Sequence, residues 1–403
     1  MKKPEPCYEW LIVGGGPHGL ALAGALVKVA RFDHSSLAIV DAGPAPLWAW
    51  RKRAANCGML NLRSDISYHL DCWPQAVPYT LDEWAATQPN SDYPLYVLDK
   101  ELGHVVASIR LFDAHCDWFI NNNKLRQFWQ QGLVTRLTWM SDAQGWQVCL
   151  SDGRRLNSRR VVLATGPGQL NYPRWSQAIE PVYHLSNLQY YQPDWQNFGH
   201  ITVIGGALTS ANFVLGVSRQ KRDSLPDITL LVRSPLKTSI LEANLSALTG
   251  EFQNRFKHSD YPTRRTLITQ SRANGTIPAQ VKENLLKTGV KLVQAEVIQA
   301  ICQDGKIYLQ LSNGTELETE AVVLGTGFIK GGWSNKLVMQ VAQDYRINLS
   351  ECGFAMPASN LEWLPGLYLM GGEAELELGP ICRNLAGAGL GVARIMSSFD
   401  GNG

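Results

Sequence analysis

Three glycines at positions 14, 16 and 19 stand between an apolar run at 10–13 and an Ala- and Leu-rich run at 20–29. Their spacing suits backbone that must pass close to a diphosphate. Gly14 permits a tight turn, Gly16 lets the chain approach the ligand, and Gly19 lets helix and strand pack closely. The first amides of the helix then face phosphate oxygens. Asp41 ends the next apolar run, at 37–40, roughly 20 residues beyond Gly19, where a carboxylate can accept both hydroxyls of an adenosine ribose.

A second, altered version of this turn follows the apolar run at 201–204. Gly205 is kept, Ala207 stands at the second glycine position and Ser210 at the third, both small enough for close packing. The strand after it, 228–232, ends at Arg233 instead of a carboxylate. Alone, a strand-end arginine would be a solvated surface charge. After a dinucleotide turn it is placed to take a 2′-phosphate through two parallel hydrogen bonds, which favours NADPH over NADH. Lys221 and Arg222 read as wet surface.

The elements that must position these residues occur twice in one order. Each set is strand, glycine turn, helix, second strand, an alternating hairpin segment, and a strand running into Ala164-Thr165-Gly166 or Gly325-Thr326-Gly327. The hairpins turn at Asp152-Gly153 and Asn313-Gly314. Residues 44–130 carry many aromatics and prolines without a long period, and read as loops and short helices covering a site. Residues 274–278 read as a loop and 279–286 as a helix.

With these motifs the chain resembles the two-dinucleotide-binding flavoproteins, and among them the flavin-containing monooxygenases and the lysine and ornithine N-hydroxylases. The resemblance implies an α/β fold of two Rossmann-like three-layer ββα domains, the NAD(P) domain inserted in the FAD domain. The boundaries would be 1–198 with 320–403 for FAD and 199–319 for NAD(P). It implies FAD on the first turn and NADPH on the second, with Thr165, Gly166, Thr326 and Gly327 at strand ends that pass the cofactors. Met370-Gly371-Gly372-Glu373 resembles the C-terminal segment whose Gly-Asp pair meets the flavin's phosphate and ribitol, so Gly372 and Glu373 join the cofactor residues, Glu373 one methylene longer. Residues 383–388 would lead a helix toward the flavin ring. Leu62-Arg63-Ser64, between Trp48/Trp50 and His69, resembles the loop these enzymes place over the flavin.

His184-Leu185-Ser186 and Tyr190 resemble part of a monooxygenase signature, although Ala178 and Glu180 replace its phenylalanine and glycine. The asparagine-rich substrate motif of the ornithine hydroxylases is not recognisable at 241–256. The implied reaction is an NADPH-driven hydroxylation of a small soft nucleophile such as an amine by dioxygen, through a hydroperoxyflavin. A reductase that passes electrons to a quinone or protein, and a sensor that only binds FAD and NADP, are the alternatives. The flavin carries the difficult chemistry, so no catalytic side chain is assigned. His69 and His184 are the titratable groups in plausible loops.

Composition narrows the field. The 403 residues carry 37 Lys+Arg against 35 Asp+Glu, a formal charge of +2, with 45% hydrophobic and 18% charged residues. That is an ordinary globular mixture, without the basic face that phosphate neutralisation on nucleic acid requires. The eight cysteines form no C-x-x-C and no zinc-type cluster, which removes a dithiol relay and a metal site and suits a reducing, cytoplasmic setting. Pro4, Glu5, Pro6 and Glu9 interrupt the signal-like start, and the run at 201–217 is too short and polar to span a bilayer. The partners expected are a small-molecule substrate and dioxygen, with neither membrane nor nucleic acid.

Overall fold

The computed structural model describes residues 7–398, apart from 31, 34, 74–77, 90–91, 100–103, 188–192, 221–224, 242, 244 and 274. Tyr190, Lys221, Arg222 and Asn274 therefore lie outside the described residues, as do the two termini.

The first apolar run is the strand Cys7–Val13, which forms the centre of an eight-stranded sheet. It pairs in parallel with Leu37–Asp41 on one side and Arg155–Leu163 on the other. The strand Leu367–Leu369, from the far end of the chain, pairs in parallel with Arg155–Leu163. The registers align the strand ends: Val13 lies opposite Val40 and Leu163, and Leu163 opposite Leu369. Gly14, Asp41, Ala164 and Met370 consequently leave the sheet at one carboxyl edge, where open α/β sheets bind ligands. The hairpin Val134–Met140 and Gly145–Leu150 extends the sheet beyond Arg155–Leu163.

A second, five-stranded sheet is wholly parallel, in the order Val182–His184, Ala321–Leu324, His200–Ile204, Asp227–Val232, Lys291–Gln294. Ile204 lies opposite Leu324 and Leu231, so the second set of strand ends is aligned like the first. Its strands fall between the two parts of the first sheet. Two of them, Val182–His184 and Ala321–Leu324, lie outside the span 199–319. The antiparallel meander Val297–Gln303, Lys306–Leu311, Glu316–Thr319 turns at Asn313-Gly314, with Gly314 at φ 82°. The two segments connecting the sheets pair with each other: Asn171 N–H donates to the Gly327 carbonyl at 2.9 Å, and Ile329 N–H to Gln169 at 2.9 Å.

Residues 44–130 hold more regular structure than loops and short helices. Asn61–Asp65, His104–Ser108 and Leu95–Asp99 form an antiparallel sheet. Ile109–Asn122 is a 14-residue helix capped by the Ser108 hydroxyl, which accepts from Leu111 N–H at 3.1 Å. It buries Leu111, Phe112, His115, Cys116, Phe119 and Ile120, one helical face, against the Gly-turn helix Pro17–Ala30. Gly24 makes that contact possible, because a Cβ there would collide with the Phe119 ring. The short strand Thr276–Ile277, in the segment read as a loop, pairs in parallel with Lys237–Thr238. Ala279–Leu286 is helical as expected.

Candidate functional site

The aligned strand ends of the first sheet open onto a cavity of about 560 Å³. Its wall includes Gly14, Gly16, Asp41, Thr165 and Gly166 of the expected residues, with Met370, Gly371 and Arg383 from the C-terminal segment. Leu62, Arg63 and Ser64 line it too, carried there by the strand Asn61–Asp65.

The three glycines divide the work. A Cβ at Gly14, which sits at φ 114°, would strike the Ala164 carbonyl, and one at Gly19 would strike the carbonyl of Gly14. Those two are demanded by the protein's own packing. Gly16 has no neighbour within 4 Å of such a Cβ, so its open side faces the cavity. Asp41 holds the turn as well as the wall: its carboxylate accepts Gly15 N–H at 2.8 Å and Gly43 N–H at 2.7 Å. A carboxylate offers about four acceptor positions, so room for ribose hydroxyls remains. His18, in the first turn of the helix, is half-buried with its Nδ1 enclosed and unpartnered, and desolvation lowers its pKa to about 4. A cradle without side chains, an unmet imidazole nitrogen and a helix start together fit a dinucleotide diphosphate.

Arg63 makes the principal bridge over this cavity. Its guanidinium donates to the carbonyls of Ser239, Ile240, Leu241 and Thr276 and to the Thr276 hydroxyl, at 2.6–3.3 Å. Leu241 and Ala243 then join the wall. Two carboxylates line it, Asp41 and Asp65. Asp65 accepts the Ser67 hydroxyl at 2.7 Å and stands 3.5 Å from Nδ1 of His104.

Gly372 and Glu373 lie behind this wall. Glu373 is buried, with Oε2 unpartnered. Desolvation pushes its carboxyl up to about 7, against the Asn335 amide and Arg383, which favour the anion. Asn335 in turn donates to the Thr165 hydroxyl at 2.9 Å. A group absent from the sequence reading lies next along the chain. Buried Glu375 pairs with Arg265, Arg272 and Arg383 at 2.9, 2.6 and 3.0 Å, and Glu377 with Arg264 at 2.6 Å. These pairs lock the helix Tyr261–Ser271 onto the C-terminal segment. Single arginines and glutamates scattered along a chain carry no spacing signal for such a cluster.

At the second turn, Gly205 at φ 129° avoids the Gly325 carbonyl, and Gly325 makes room for the Ser210 hydroxyl. Ala207 occupies the N-cap position of the helix Leu208–Ser218 without a side-chain acceptor, and Leu208 reaches the cavity wall. Arg233 is 78% exposed, with Glu296 3.9 Å away. Thr326 donates to the Asn171 carbonyl at 2.5 Å, and Gly327 accepts from Asn171 N–H.

The two histidines have structural surroundings. His69 is buried, stacked on Tyr79 and bonded to its carbonyl at 3.0 Å. His184 accepts Ser186 N–H at Nδ1, which leaves Nε2–H to donate to Thr326 Oγ1 at 3.3 Å. Burial lowers its pKa to about 4, so it stays neutral. All eight cysteines are free. Among the described residues no cluster suited to a metal ion occurs, and no helix is long and apolar enough to cross a membrane.

Two sheets with parallel cores, each with a glycine turn at its carboxyl edge, define the two-dinucleotide-binding flavoprotein fold. A family profile described as FAD-NAD(P)-binding matches residues 11–168. The profile of L-lysine 6-monooxygenase/L-ornithine 5-monooxygenase matches residues 105–330, more than half of the chain, and the chain belongs to this family. The fold is also that of the ornithine N-hydroxylase from Kutzneria sp. 744 (TM-score 0.78, 16% identity, 98% of this chain and 99% of that one). The cadaverine monooxygenase from Erwinia amylovora, solved with FAD, gives a TM-score of 0.75 at 17% identity over 98% and 95% of the two chains. A flavin-containing monooxygenase from Stenotrophomonas maltophilia gives 0.62 at 18% over 98% and 99%. No curated protein matches the chain.

Proposed function

We propose that the protein is an FAD- and NADPH-dependent monooxygenase that hydroxylates the nitrogen of a small primary amine. The observation that carries this reading is the single cavity walled by Gly14, Gly16, Asp41, Thr165 and Gly166 from one part of the chain and Gly371 and residues 383–386 from the other. When bound there, FAD supplies the two-electron carrier and the oxygen-activating centre.

The protein's own residues bind, orient and shield. Gly16 leaves its backbone open to the diphosphate, and Asp41 accepts ribose hydroxyls while holding the turn. Thr165 and Gly166 border the same cofactor, and Gly372 with Glu373 supports the wall from behind. Gly205, Ala207 and Ser210 hold the NADPH diphosphate, Arg233 the 2′-phosphate, and Thr326 with Gly327 the strand end beside it. The NAD(P) unit is an insertion, 199–319 extended by the two strands Val182–His184 and Ala321–Leu324.

An amine arrives as an ammonium ion and must lose a proton before its lone pair can attack. Asp65 attracts the cation, and His104 Nδ1 beside it accepts the proton. The apolar side chains of Trp50, Met59, Leu62 and Phe112 keep the surroundings dry.

Anaerobic mixing with NADPH, followed by oxygen with and without ornithine, lysine or cadaverine, tests this function. Flavin bleaching by NADPH and an N-hydroxylated product with one of the amines are expected. Reduction and oxygen uptake that yield only peroxide with every amine tried would count against it.

A further inference from the structure

Three arginines line the cavity, and two of them are already engaged. Arg63 is spent on carbonyls and the Thr276 hydroxyl, and Arg383 on Glu375. Arg53 differs. Its Nε is buried without a hydrogen-bond partner, and no ion pair reaches its guanidinium among the described residues. It rests over the Phe328 ring, 5.8 Å from the centroid, and feels the Asp41 charge without bonding to it.

An arginine carries five N–H donors and cannot shed its charge, so enclosing it unpaired is unfavourable unless a ligand supplies the acceptors. The local fold aims it. Leu47 N–H bonds to the Gly15 carbonyl at 2.8 Å, fixing the start of the helix Trp48–Asn56 against the glycine turn. Ala49, Trp50 and Arg53, one face of that helix, then line the cavity with Gly14 and Gly16. A planar guanidinium opposite a side-chain-free turn matches two oxygens of a phosphate.

We propose that Arg53 binds the diphosphate of a dinucleotide seated in this cavity, an assignment that rests on reading the cavity as the flavin site. Its place beside Phe328, on the segment returning from the second sheet, makes FAD and NADPH the two sources of that group.

The test compares the wild-type holoenzyme with Arg53→Gln and Arg53→Lys. FAD affinity is read from the fluorescence of flavin released on dilution, and NADP+ affinity by calorimetry on the FAD-loaded proteins. Loss of a charged hydrogen bond should weaken FAD in Arg53→Gln by about 10- to 150-fold, with Arg53→Lys between. The phosphorus NMR signals of bound FAD should move in Arg53→Lys, which keeps the charge and serves if the glutamine variant does not fold. The same loss for NADP+ with FAD retained would assign the diphosphate to NADPH. Unchanged affinities and phosphorus signals in variants of a wild type that binds both cofactors would overturn the assignment alone. A wild type that binds neither would overturn the flavin reading with it.

Discussion

The Arg63 guanidinium donates to the Thr276 hydroxyl at 2.8 Å, joining residues 213 positions apart. This contact, with the carbonyls at 239–241, holds the ribbon Lys237–Thr238/Thr276–Ile277 over the cavity. Arg63→Ala should cost about 3 kcal/mol, since bonds to a charged donor contribute roughly 1.5–3 kcal/mol each and do not add. Amide exchange should rise at 237–241 and 276–277 while the strand Cys7–Val13 stays protected. Hydroxylated product per NADPH should fall, and equal coupling in the variant would show that the bridge does not shield the reaction.

The glycine turn separates fold from cofactor. Gly14→Ala meets the Ala164 carbonyl at a left-handed φ, and should lose about 1–3 kcal/mol of stability. At Gly16 an added Cβ has no protein atom within 4 Å, so Gly16→Val should intrude chiefly where the diphosphate must pass. It should keep its thermal midpoint without flavin and purify colourless, as absorbance near the flavin band would report.

Glu373 makes stability depend on pH. Its carboxyl titrates near 7 when folded against an ordinary value of 4.5, so the folded state binds the proton more tightly. The contribution of Glu373 to stability is therefore most favourable below the unfolded value and falls as pH rises from about 4.5 to 7, by about 3 kcal/mol, with a lower plateau above. Glu373→Gln should flatten that part of a urea-midpoint profile and be the more stable protein at pH 8. A profile that keeps its slope would assign the dependence to other groups.

Arg233 is largely exposed at the end of its strand, with the Glu296 carboxylate 3.9 Å away. Arg233→Ala should raise the KM for NADPH by about 10- to 150-fold, the range for one charge-assisted bond, and leave NADH nearly unaffected. Steady-state kinetics with both cofactors decides this, because equal losses would place Arg233 away from the 2′-phosphate.

Local chemistry made part of this legible from residue order alone. A strand, a turn of small residues and a helix impose short-range patterns, so both glycine turns, both x-Thr-Gly strand ends and the hairpin at Asn313-Gly314 could be read directly. The helix Ile109–Asn122 also left its mark, since 111–112, 115–116 and 119–120 are buried as one face. It was obscured by the aromatic-rich, unperiodic stretch before it.

The sequence by itself determined which segments form glycine turns between strand and helix, and the family's FAD and NADPH chemistry. Only the tertiary structure decided that Gly14, Asp41, Thr165 and Gly371 share one edge, because parallel pairing across most of the chain aligns their strand ends. It likewise decided, among the three arginines lining the cavity, which two are spent and which has an Nε without a hydrogen-bond partner among the described residues. Arg63 satisfies carbonyls far along the chain, Arg383 answers Glu375, and Arg53 is left facing the cavity. Those outcomes depend on which acceptors fall within about 3 Å, the reach of a hydrogen bond, and no spacing along a chain encodes that.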